Sequence, residues 1–128
     1  MSQRLEEMLR KSVESKMLCA VDTRDEAVLQ TDVTFLTVGT PKTADGRIDL
    51  RHVVRACEEI GRALKKKKAY HLIIIKSTVV PGTTRDVVKP ILERTAELSA
   101  GSDFGLCMNP EFYDRARQSQ TLCVPIAL

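Results

Sequence analysis

The chain has 128 residues, 43% apolar and 29% charged, with a net charge of +3. That length suits one ordinary domain with a packed core. The charge is too small to argue for nucleic acid, and with no tryptophan and only 4% aromatic residues the stacking platform of a single-strand binder is missing too. Neither a signal peptide nor an apolar run long enough to cross a membrane occurs, so a cytoplasmic protein without a membrane partner is expected. Cys19, Cys57, Cys107 and Cys123 show no C-x-x-C spacing and no nearby histidine, which argues against zinc and for buried, reduced thiols.

The first element is an amphipathic helix over 4–17, with Leu5, Met8, Leu9, Val13 and Met17 at helical spacing. A short apolar piece, 17–21, places Cys19 in a strand. Asp22 and Thr23 can then cap a brief helix carrying Ala27, Val28 and Leu29. Asp32 opens a strand over 33–38 that stops at Gly39-Thr40-Pro41, where glycine permits a tight turn and proline blocks further pairing. A polar loop turning at Asp45-Gly46 leads to Asp49, a good N-cap. The next helix carries its stripe on Leu50, Val53, Val54, Cys57, Ile60 and Leu64. Lys65 to Lys68 at its end read as a solvated run that complements the helix dipole.

The stretch Ile73-Ile74-Ile75-Lys76-Ser77-Thr78-Val79-Val80-Pro81-Gly82-Thr83-Thr84 is the organising one. An all-aliphatic run ends abruptly in hydroxyls, as a buried parallel strand does when its carboxyl end reaches a site. A competing reading makes Ser77, Thr83 and Thr84 caps of the following helix. That helix runs from about Thr84 to Leu98, and Pro90 should kink or divide it. Ala100-Gly101-Ser102 is a break. A third strand, 104–108, ends in Asn109-Pro110-Glu111-Phe112. The alternation predicts βαβ units, a parallel α/β sheet with right-handed crossovers, and three distinctive loops at its carboxyl edge.

These loops in this order resemble the nucleotide-sugar dehydrogenases, the UDP-glucose and GDP-mannose family. The resemblance rests on Val38-Gly39-Thr40-Pro41, Asp49-Leu50, Lys76 to Thr84 and Asn109-Pro110-Glu111-Phe112, with Arg4-Leu5-Glu6-Glu7-Met8-Leu9 before them. The Asn-Pro-Glu-Phe form looks more like the UDP-glucose branch than the UDP-N-acetylmannosamine branch. The resemblance implies an NAD-dependent enzyme of polysaccharide precursor synthesis that oxidises a sugar primary alcohol twice, to the carboxylate, through a cysteine thioester. It implies that Gly39, Thr40, Pro41 and Ser77 lie along NAD. Thr78 would stand near the reacting carbon and Glu111 by the nicotinamide and acyl centre, these two being the catalytic candidates. A hydroxyl can donate and accept, and a carboxylate can move protons or order water.

The resemblance also implies an incomplete Rossmann-like domain. No Gly-x-Gly-x-x-Gly occurs, so the first βαβ unit and its pyrophosphate turn are missing from these 128 residues, as is the later domain with the catalytic cysteine. Residues 1–112 carry the family pattern. Residues 113–128 depart from it, and the family's second glutamate falls at Arg115. Read one base out of frame, synonymous codons for Arg115 to Gln120 can spell Gly-Ser-Ala-Val-Ala-Asp. Those for Cys123 to Leu128 can spell Cys-Pro-Asp-Arg-Ile, which is the family's continuation. The expectation is a fragment whose frame slips after Phe112, with an unselected tail and no turnover of its own. The alternative is a non-catalytic α/β module that binds a nucleotide weakly or forms a homodimer through an exposed sheet edge.

Overall fold

A computed structural model describes residues 3–110. Three strands, β1 (Val33–Leu36), β2 (Leu72–Ile75) and β3 (Gly105–Met108), form a parallel sheet in the order β1-β2-β3. The register sets Val33 beside Leu72 and Gly105, and Leu36 beside Ile75 and Met108, so all three carboxyl ends leave the sheet at one level. The predicted first strand is trimmed from Val38 to Leu36. The cause is local: Lys76 and Ser77 both donate backbone N–H to Leu36 O, at 2.9 and 3.1 Å, which closes the ladder there.

The crossover after β1 is α3 (Arg51–Lys66), and the one after β2 ends in α4 (Lys89–Ala96). Two crossovers advancing in the same direction, each right-handed, put both helices on one face of the sheet. There α3 packs against α4, and against α2 (Arg24–Gln30) on its other side. The core lies between this layer and alternate strand residues. Leu36, Ile73, Ile75 and Leu106 meet Val53, Cys57, Ile60, Leu64, Val88 and Leu92, all buried. Gly61 of α3 is what allows the helices to approach, because a Cβ there would come within 1.8 Å of Thr95 Oγ1.

Pro90 does divide its helix. Thr84–Val88 forms a π-type turn, in which Lys89 N–H reaches back to Thr84 O, and Pro90 then sits in the first turn of α4. Proline has no N–H and its ring crowds the carbonyl four residues back, so the chain widens for one turn before α4 restarts. Thr23 caps α2 as expected, accepting from Glu26 N–H at 3.2 Å. Asp49 acts one position outside the predicted cap: Leu50 holds that position, and Asp49 Oδ1 accepts Arg51 N–H at 2.9 Å.

Three expectations need correction. The first helix forms as α1 (Gln3–Glu14) but buries none of its side chains, so its apolar stripe faces outward. Residues 18–21 form no strand, and Cys19 is exposed rather than buried; an extended segment becomes a strand only with a ladder partner. The lysine run is not simply solvated. Lys66 Nζ pairs with Asp25 at 2.5 Å, and Lys67 Nζ donates to Val28 O at 2.9 Å and Thr31 O at 2.5 Å. Lys67 thus complements the carboxyl end of α2 rather than that of its own helix.

Candidate site at the carboxyl edge of the sheet

The site is built on the three strand ends. Ser77 follows β2 and is buried, and its Oγ donates to Val38 O at 2.7 Å and Leu36 O at 3.3 Å. That hydroxyl stitches the loop after β1 to the loop after β2. One step further out, Thr40 Oγ1 donates to Thr78 O at 2.7 Å. Asn109 N–H donates to Ile75 O at 3.0 Å and brings the loop after β3 alongside. The three loops singled out in the sequence therefore do converge on one edge. Gly39, Pro41 and Thr78 are exposed there and Thr40 is half-buried. Glu111 and the tail from 113 onward lie outside the described residues.

Gly39 is not where a turn demands glycine. The glycines in the left-handed region are Gly46, Gly82 and Gly101. A Cβ on Gly39 would meet nothing within 4 Å. Neither backbone nor packing requires glycine at 39, and what the missing side chain leaves is clearance along the edge. Asp49 braces this loop from behind. Its N–H donates to Pro41 O at 2.8 Å. Its carboxylate accepts from Arg51 Nη2 at 2.6 Å and from Nε at 2.8 Å, and the Arg51 hydrogen bonds push its pKa down to about 2.

Beside the loop lies a cleft of 490 Å3 lined by Arg24, Val38, Gly39, Pro41, His52 and Arg55. Arg24 from α2 and Arg55 from α3 both hydrogen-bond Glu59, Arg55 Nε at 3.1 Å, and hold its carboxyl below the usual range. Sequence reading missed this cluster. Its one local signal is the spacing of His52, Arg55 and Glu59 along one face of α3; Arg24 arrives only through packing of α2 on α3.

The capping reading of the hydroxyls fails. Thr83 occupies the cap of the π-type turn without a side-chain cap bond, and Thr84 Oγ1 is buried with no hydrogen-bond partner. Cys57 stands apart from the site. Cys57 is fully buried in the core, and burial pushes its pKa up to about 12, well away from reactivity.

The chain is similar to known proteins. The model of the UDP-glucose/GDP-mannose dehydrogenase family, NAD binding domain, matches residues 1–124. The chain is 42% identical over 108 residues to a GDP-mannose 6-dehydrogenase of Pseudomonas savastanoi pv. phaseolicola, covering 84% of this chain and 25% of that protein. It is 44% identical over 87 residues to a UDP-glucose 6-dehydrogenase of Haloferax volcanii, covering 68% of this chain and 20% of that one. Among solved structures, GDP-mannose dehydrogenase from Pseudomonas aeruginosa superposes with a TM-score of 0.83 at 38% identity, over 89% of this chain and 26% of its own. The chain thus spans about a quarter of the length of the curated relatives it matches.

Proposed function

Because the chain belongs to the UDP-glucose/GDP-mannose dehydrogenase family, we propose that it forms one side of an NAD site serving the oxidation of a nucleotide sugar's primary alcohol to a carboxylate. The observation that supports this most is the convergence of three strand ends at an edge where Gly39 leaves room a Cβ would fill. Dinucleotides lie in such a crevice, outside the carboxyl ends of parallel strands.

Gly39, Thr40 and Pro41 are the residues along which the cofactor lies. Ser77 is a positioning residue, since its hydroxyl holds Val38 O. Thr78, exposed at the edge, is placed to hold a water or sugar oxygen near the reacting carbon. Glu111 is the carboxylate beside the nicotinamide in this reading. NAD supplies the hydride acceptor when bound. Asn-Pro-Glu-Phe favours UDP-glucose over UDP-N-acetylmannosamine as the parent's substrate, and cytoplasm is the proposed compartment. Residues 1–112 carry the family pattern and 113–128 are a tail altered by a one-base slip, into which the family match extends as far as 124; sequencing of the locus checks the slip. With no Gly-x-Gly-x-x-Gly in the chain, turnover by these residues alone is nil.

NMR titration with NAD tests the reading. The amides of Gly39, Thr40 and Thr78 should shift, the Gly39→Leu variant should lose those shifts at unchanged melting temperature, and no NADH should form with UDP-glucose. Shifts confined to other residues, or a Gly39→Leu variant that titrates like the parent, overturn it. A second reading, a non-catalytic module that self-associates, draws on the outer edge of β1, which no strand among the described residues covers. Sedimentation at two concentrations checks it: a concentration-independent monomer removes it.

A further inference from the structure

The NAD reading gives no task to the basic side of the cleft beside Gly39-Thr40-Pro41. Val38, Gly39 and Pro41 line it on one part and Arg24, His52 and Arg55 on the other, with no carboxylate among the lining residues. Glu59 holds both arginines. Arg24 reaches it through Nη1 and Arg55 through Nε, the latter at 3.1 Å. A guanidinium carries five N–H groups, so most donors on each arginine are left over. Among the described residues neither arginine side chain makes a hydrogen bond to any other group, and the His52 side chain makes none.

The charges do not balance either. Two guanidinium groups meet one carboxylate, and the neighbouring acids Asp25 and Glu58 pair elsewhere, with Lys66 and Arg94. A surface ion pair contributes little to stability, and a surplus cation adds nothing to it. Spare guanidinium forks beside a cavity suit a phosphate, whose oxygens they bind two at a time. At 490 Å3 the cleft is of small-ligand size and far larger than a lone phosphate. An occupant that fills it therefore carries an uncharged part to lie on Val38 and Pro41.

We propose that this cleft binds a mononucleotide through its terminal phosphate. Arg24 and Arg55 hold the phosphate, His52 adds a donor, and base and sugar lie against Val38, Gly39 and Pro41. Charge separates this ligand from a dinucleotide. A terminal phosphate monoester carries close to two negative charges at neutral pH, whereas each internal phosphate of NAD carries one. Because Gly39 and Pro41 serve both, the mononucleotide and NAD compete for the edge. The competition, though not the binding, rests on the NAD-site reading above.

NMR titration of the full chain with AMP, adenosine, inorganic phosphate and NAD tests the proposal. AMP should shift the His52 amide and the Arg24 and Arg55 Nε–H signals. It should bind at least tenfold more tightly than adenosine or inorganic phosphate. Arg24→Gln and Arg55→Gln, both at exposed side chains, should each weaken AMP at least fivefold with unchanged circular dichroism. Glu59→Gln should tighten AMP at least threefold, because it removes the charge that offsets one guanidinium; a merely structural network predicts no gain. AMP no tighter than adenosine or phosphate, indifference to both arginine variants, or weaker binding by Glu59→Gln overturns the proposal. The arginine variants also separate it from the NAD reading. NAD-induced shifts at Gly39 and Thr40 that survive in them while the AMP response is lost support a distinct phosphate site. Loss of both responses together makes the cleft part of the NAD site and overturns the proposal. An AMP response of the expected kind with no NAD response keeps the proposal and defeats the NAD reading.

Discussion

The two faces of the sheet are built from neighbouring residues of the same kind and meet different surroundings. In β2, Ile73 and Ile75 are fully buried under α3 and α4, while Leu72 and Ile74 between them are only half-buried. In β1, Leu36 is buried and Phe35 beside it is more than half exposed. A strand apolar on both sides belongs to a sheet covered on both sides. The difference teaches that residue type reports what a strand is suited to, while burial reports what the described chain supplies.

The sharpest way to break this contrast is one truncation on each face. Ile73→Ala should cost about 3 kcal/mol, inside the range for buried isoleucine, because transfer energy is lost and a cavity left. Ile74→Ala should cost about 1 kcal/mol or less, because its methyls still touch water. Urea denaturation of both variants measures it. Equal losses would mean that the open face is covered in solution, which is what self-association or a docked partner would do.

Glycine offers the same comparison from the opposite direction. Gly61→Ala drives a Cβ into Thr95 between two helices that cannot part cheaply, and about 2 kcal/mol of destabilisation is expected from overpacking. The double variant Gly61→Ala with Thr95→Ala should recover only part of it, because the Cβ that alanine keeps at 95 still lies 2.8 Å from the added one. On the open face, a Cβ at Gly105 would meet Leu72 Cδ1 at 2.6 Å and Tyr70 Oη at 2.9 Å. Those are the far ends of flexible side chains, and Tyr70 is 55% exposed, so Gly105→Ala should cost well under half as much. Similar melting shifts for the two variants would show the open face to be as tightly packed as the covered one.

Thr84 provides a smaller, opposite effect on the covered side. Its hydroxyl is buried without a partner, and such a group carries a desolvation penalty of about 1–3 kcal/mol. Thr84→Val keeps the branched shape and removes the penalty, so the melting temperature should rise, with a gain of about 1 kcal/mol. A drop would mean that the hydroxyl has a water or ligand partner in solution.

How much of this was legible beforehand follows from the range of each interaction. The run Leu72 to Ile75, the stripe of α3 and the interruption at Pro90 depend on local period and backbone chemistry, and each appears where its residues put it. Convergence of the loops after β1, β2 and β3 followed from parallel topology alone. What escaped reading joins residues far apart in the chain. Ser77 reaches back to Val38, Lys67 to Thr31, and Arg24 to Glu59, and no local pattern announces such pairs. Cys19 lies outside any strand for a related reason: an apolar segment becomes a strand only where a neighbouring strand receives it.

His71 is another long-range tie, and it yields the smallest expected effect, one proton's worth. It is fully buried at the amino end of β2, opposite the proposed site. Its Nδ1 lies 3.0 Å from Thr31 O and its Nε2 2.8 Å from Thr34 Oγ1. A carbonyl can only accept, so Nδ1 carries a proton; the Thr34 hydroxyl can serve Nε2 either way, and burial is what favours the neutral ring, with Nε2 accepting from the threonine. Burial, and then the nearby Lys67 charge, push its pKa below the ordinary 6.5. In the unfolded chain the ring titrates near 6.5, so between that value and its lower folded pKa the unfolded state holds the extra proton. Unfolding free energy should therefore be flat above about pH 7 and fall as the pH drops through about 6.5. Asp49, Glu59 and Asp86, all held below their ordinary values, lose their stabilisation only at lower pH, which leaves the window from about pH 5 to 7 to the histidine. Urea midpoints across that window should slope in the parent and flatten in His71→Gln, which can still donate and accept. A parent chain more stable at pH 5.5 than at 7.5 would mean that the ring is charged in the fold, and that Lys67 lies further from it than the α2 terminus requires.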